Sequence, residues 1–247
     1  MKKTKTSRII GNFYTEPKNK HTIELTKLIY KQYLKLIPEN DLNQKKCTIL
    51  LNLNEESPIL TYDNLPKIIL PTKDNLWCQI IFQLSHEICH YIFRFKREDQ
   101  YKKNAAHRYE EIVCETMSLI ILKMCAENWK ECKISLNKPI YKLNIESYLN
   151  NQLRKREIMP QIKIENIYDF NKEEEHAENK RENHYWETYY LYNKLINKKI
   201  QFKDILEYYP FKLKNGYIDF DKWKKECDSK NKSISTLSKI QPQLKFK

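Results

Sequence analysis

Between positions 75 and 95 the chain carries apolar side chains around much of a helix's circumference: Leu76, Trp77, Ile80, Ile81, Leu84, Ile88, Tyr91, Ile92 and Phe95. A helix with no water-facing side has to be buried. Its middle nevertheless reads His86-Glu87-Ile88-Cys89-His90, an H-E-x-x-H pattern. Burying these ionisable groups without partners is costly, so the rest of the fold has to supply something for them to bind. Residues four apart share one face of a helix, which lets both imidazoles reach one ion. Glu87, next to the first histidine, is placed to take a proton from a water at that ion. Two histidines, one carboxylate and an open position is a catalytic zinc arrangement.

A third ligand is required. After a charged loop at 96–103, Asn104 can cap a second helix running from Ala105 to about Ala126, with Glu110, Glu111 and Glu115 upon it. Glu111 follows His90 by roughly twenty residues, and Glu115 lies one turn further along the same face. The combined pattern, H-E-x-x-H followed by E-x-x-x-E, resembles the gluzincin family of zinc metallopeptidases. That resemblance implies His86, His90 and Glu111 as ligands of Zn2+ and Glu87 as general base. It implies Glu115 as the carboxylate that fixes the tautomer of a ligand histidine from behind. It covers roughly Leu65–Cys125, and within it Tyr109–Ser118 (YEEIVCETMS) is similar to a stretch of uncharacterised bacterial H-E-x-x-H proteins. Glu110 stands where the thermolysin-type pattern has Asn, and Ile112 does not fit the aminopeptidase pattern. Subfamily and substrate therefore stay open, and Glu110 remains the rival third ligand. No third histidine follows His90 closely, which disfavours the metzincin arrangement.

Composition narrows the field further. Two glycines in 247 residues leave no room for the glycine-rich phosphate loops of P-loop NTPases or Rossmann dehydrogenases. The seven cysteines include no C-x-x-C pair, which argues against a disulfide framework or a four-cysteine zinc site. No apolar run is long enough for a membrane span, and the N-terminus lacks the apolar stretch of a signal peptide. A cytoplasmic protein with no membrane attachment is the resulting expectation. The net charge of +13 and the 17 tyrosines allow contact with nucleic acid, although no recognised nucleic-acid motif is present.

The expected fold class is α+β: a zincin-like core with a small sheet and two metal-binding helices, then a mostly helical C-terminal part. Residues 1–20 read as a loose basic arm, 21–137 as the metal-binding core, 138–228 as a helical subdomain and 229–247 as a disordered basic tail. Thr22–Ile37 is expected to be helical. Cys47–Leu53, Ile59–Tyr62 and Lys67–Leu70 are expected strands, the last a candidate edge for aligning an extended peptide. Asp74 or Asn75 is the expected cap of the metal helix. Further helices are expected at Ile145–Ile158, Arg181–Asn197, Phe202–Tyr208 and Phe220–Cys227, with the charged run Lys172–Arg181 facing solvent. For an oxyanion donor the candidates are His184 and Tyr185, in a stretch that also holds Tyr189 and Tyr190. The implied activity is hydrolysis of a peptide or protein substrate. The alternative is a non-catalytic or regulatory binding protein on the same scaffold, acting near nucleic acid.

Overall fold

The computed structural model describes residues 6–62, 65–95, 106–165, 167–213, 217–226 and 234–240. The chain is mixed α and β and divides into two compact units, one of residues 1–96 with 117–151 and the other of residues 97–116 with 152–247.

The first unit holds a five-stranded sheet of β1 (Ser7–Ile10), β2 (Phe13–Thr15), β3 (Cys47–Leu51), β4 (Ile59–Thr61) and β5 (Lys67–Leu70), in the order β1-β2-β3-β5-β4. β2, β3 and β5 run parallel, and the outer strands β1 and β4 are antiparallel to their neighbours. Alternation sets the faces: Cys47 and Ile49 of β3 and Ile68 and Leu70 of β5 are fully buried, while the residues between them are half-buried. The parallel step from β2 to β3 is made through α1 (Lys20–Leu34) and a single-turn α2 (Glu39–Leu42).

Three sequence expectations change here. Residues 7–15, expected to belong to a loose arm, form β1 and β2. Their turn depends on Gly11, whose φ of +53° suits glycine and where an added Cβ would clash with the Asn43 side-chain oxygen. β5 lies between β3 and β4, so on that side of the sheet the open edge belongs to β4 rather than to Lys67–Leu70. Asp74 caps a helix other than the expected one. Its carboxylate accepts the backbone N–H of His21 (3.1 Å) and Thr22 (2.8 Å), closing the N-terminus of α1 across more than fifty positions of sequence.

The metal helix is α3 (Trp77–Phe95). Tyr33 of α1 donates its hydroxyl to the Ser85 carbonyl (2.6 Å), and Tyr91 donates to the Lys45 carbonyl (2.6 Å) just before β3. These two bonds, the first fully buried, tie the helix to α1 and to the start of β3. α4 (His107–Glu127) follows, and the division between the two units falls within it. The expected cap Asn104 and the 96–103 loop lie outside the described residues. The first unit ends within α5 (Lys142–Glu157), whose residues from Gln152 onward belong to the second unit.

The second unit contains α6 (Ile167–Glu175), α7 (Tyr185–Ile196), the short α8 (Phe202–Ile205) and α9 (Phe220–Glu226). Part of the expected tail is also built in. Ile234–Lys239 forms a 3-10 turn, Leu237 and Ile240 are fully buried, and the Ile240 carbonyl accepts from Arg108 Nη1 (2.9 Å). Among the described residues no helix is long and apolar enough to cross a membrane.

Candidate metal centre

His86 is buried and His90 half-buried, with their Nε2 atoms 3.0 Å apart and the rings inclined at 66°. Two nitrogens sharing one tetrahedral zinc at its usual bond length stand about 3.3 Å apart, so this pair is close to a chelating geometry. Glu111 of α4 completes the group: one ligand atom from each of His86, His90 and Glu111 lies within 4.8 Å of the other two. Helical spacing accounts for the histidine pair. The chemistry of the set, two imidazole nitrogens and a carboxylate oxygen, fits a divalent ion of the zinc type.

Glu87 is 3% exposed, and among the described residues its carboxylate takes no hydrogen bond or ion pair. It lies near Cys47 of β3, whose thiol is pushed well up by burial, with the negative charge of Glu87 adding to the effect.

Three neighbouring carboxylates on α4 go to different partners. Glu110, the rival third ligand, accepts the Tyr208 hydroxyl and is outside the ligand group. Glu111 has the Arg181 guanidinium 3.9 Å from its Oε2. Glu115 is buried in an ion pair with Arg156. The Arg156 guanidinium is itself buried, bonds the Gln152 carbonyl (2.7 Å) and side-chain oxygen (2.9 Å), and lies 4.4 Å from the centre of the Tyr185 ring.

The candidate oxyanion donors His184 and Tyr185 both lie in the second unit. His184 is 1% exposed, and its Nε2 sits 3.0 Å from the Ala177 carbonyl. A carbonyl can only accept, so that nitrogen carries the proton and the ring spends its one neutral-state donor there. Burial, reinforced by the nearby Arg108 charge, lowers the His184 pKa to about 4. Tyr185 turns its ring face to the Arg156 guanidinium, a contact in which its hydroxyl takes no part. Arg181 is the residue missed in the sequence: it closes a charged run that reads as solvated, yet it folds back beside Glu111 and is only 29% exposed. The one signal for it was its charge, shared with the many other cations of the chain.

That charged run also sends Glu174 inward. Its Oε2 accepts the Arg108 backbone N–H (3.4 Å) at the start of α4, while among the described residues no donor reaches its Oε1. Burial raises its pKa from 4.5 to about 8. Its neutral form is favoured in the fold, so this stabilisation is present below pH 4.5 and is lost as the pH climbs to about 8. His184 works in the other direction, being stabilising above pH 6.5 and losing that contribution as the pH falls to about 4. Where the two ranges overlap, from pH 4.5 to 6.5, the two slopes offset. Glu174→Gln is therefore expected to remove much of the fall in stability between pH 6.5 and 8, as read from urea midpoints at the two values. An unchanged fall would show that Glu174 is ionised in the fold.

Compared with known proteins, the chain matches no family model, no curated protein and no solved structure. The functional reading therefore rests on the residues themselves.

Proposed function

We propose that this chain is a zinc-dependent metallopeptidase with a zincin-like core, working in the cytoplasm on a peptide or protein substrate. The observation that carries the reading is the convergence of His86, His90 and Glu111, with Glu87 buried on the same turn of α3. His86, His90 and Glu111 would hold the ion. Zinc there supplies Lewis-acid polarisation of a water and of the scissile carbonyl. Glu87 takes the proton of the attacking water and passes it to the departing amine, and its buried setting favours that exchange because among the described residues no other donor competes for the carboxylate. Arg181, part-exposed beside Glu111, joins Tyr185 as a candidate to stabilise negative charge on the carbonyl oxygen, whereas the His184 Nε2–H is already given to the Ala177 carbonyl. Glu115 and Arg156 stiffen the helix behind the ligand; a tautomer-fixing role for Glu115 rests on the family resemblance. β4, the outer strand beside β5, offers a sheet edge for aligning an extended substrate.

The test is metal content by elemental analysis of protein purified without added metal, followed by a peptide-library cleavage assay. Near-stoichiometric zinc is expected in the wild type and in Glu110→Ala, and its loss in Glu111→Ala. Absence of metal after zinc is supplied would overturn the reading. Bound zinc without cleavage of any library peptide would favour a binding protein on the same scaffold.

A further inference from the structure

α7 has two differently used faces. Glu187, Thr188, Leu191 and Tyr192 point into the second unit and are buried. Trp186, Tyr190 and Lys194, spaced by four, form a stripe along another side, and all three are half-buried. The Trp186 and Tyr190 rings stack in parallel, with centroids 5.4 Å apart and an interplanar angle of 10°. Lys194 Nζ lies 5.0 Å from the centre of the Tyr190 ring, and Lys239 Nζ lies 6.0 Å from it. Lys239 is held there from the backbone: its carbonyl accepts from Gln161 Nε2 (3.1 Å).

Two open grooves meet at Trp186. One, of about 390 Å³, runs along α7 past Tyr189, Lys194 and Lys199. The other, of about 710 Å³, is lined by residues 161–165, Ser238 and Lys239. Lys163, Lys194, Lys199 and Lys239 face these grooves, against the single carboxylate of Glu165. An aromatic stripe usually packs into a core. This one borders open space and is ringed by cations.

We propose that the Trp186–Tyr190–Lys194 stripe and its two grooves bind single-stranded nucleic acid, with a base stacking on the face of Trp186 turned away from Tyr190 and phosphates meeting the lysines. Stacking accepts any base, and flanking cations track the backbone, which is the design of sequence-tolerant single-strand sites. A duplex keeps its base faces covered and could use only the lysines. An acidic peptide would likewise gain nothing from parallel stacked rings. The site shares no residue with the proposed metal centre and stands or falls independently of it.

The probe is a fluorescein-labelled oligodeoxythymidine of roughly 10–15 nucleotides, titrated with the full chain by fluorescence anisotropy at several salt concentrations. Binding is expected at about 50 mM salt, with log K falling against log salt by about 0.7 for each phosphate neutralised, so a slope near −3 if all four lysines engage. Trp186→Leu is expected to weaken binding by roughly 5- to 100-fold and to leave the salt slope unchanged. The double variant Lys194→Gln/Lys239→Gln is expected to flatten the slope by about 1.4. Circular dichroism checks that each variant is folded, and if Trp186→Leu is not, the lysine pair alone decides. The proposal is overturned by any one of several results: no binding at low salt, wild-type affinity in folded Trp186→Leu, an unchanged slope in the lysine pair, a duplex bound as tightly as the single strand, or displacement by polyglutamate at matched charge.

Discussion

Glu87→Gln is expected to reduce hydrolysis of a library-selected peptide by roughly 10²- to 10⁴-fold, the usual contribution of a positioned acid–base group. The same change should leave metal content intact, because Glu87 is outside the ligand group. It should also leave the fold intact. The amide has nearly the shape of the carboxylate, and a buried charge with no hydrogen-bond partner among the described residues is exchanged for a neutral group. Turnover and metal content are measured on the same preparations. Wild-type turnover would remove Glu87 from the chemistry. A loss of turnover that merely follows a loss of metal would make it a structural residue.

The largest effect on stability is expected at Arg156. Its guanidinium is buried against the Glu115 carboxylate, so Arg156→Met strands a charge inside the second unit. Breaking a buried pair from one side costs about 3–5 kcal/mol, whereas replacing both partners with neutral groups of similar volume is often close to neutral. Arg156→Met should accordingly lower the chemical-denaturation midpoint sharply, and adding Glu115→Gln should restore most of it. Equal loss in the single and double variants would mean that the packing of the Arg156 stem and its bonds to Gln152, not the ion pair, carry the stability.

The parts of the site legible in the sequence are those that depend on a local period. His86 and His90 are four apart on a strongly apolar helix, and α3, α4 and β5 fall within a few residues of their expected bounds. Glu111 could be singled out, but its choice over Glu110 depended on the family pattern, and the physical reason is tertiary: Tyr208, nearly a hundred positions away, takes Glu110. The same limit explains Asp74. Its place just before an apolar helix suggests a cap for that helix, yet the carboxylate turns to the open N-terminus of α1. β1 and β2 are too short for a period-two signal, and they exist because Gly11 turns the chain and β3 offers an edge. Arg181 and Glu174 sit in a run whose composition suggests water on every side, and only packing selects these two to turn inward.

The contact between Arg108 and the Ile240 carbonyl spans 132 positions. Its consequence lies in the order of assembly. During synthesis the helix bearing Arg108 emerges long before the acceptor does, and the Glu187 carboxylate, which takes its other guanidinium nitrogen, is also far downstream. A buried guanidinium short of acceptors penalises early closure. The second unit therefore completes its packing only once residue 240 is available, and non-local closure of this kind is slow. Glu111 stands on the same helix three residues from Arg108, so the seating of that stretch of helix, with the carboxylate it carries, waits on residue 240 as well.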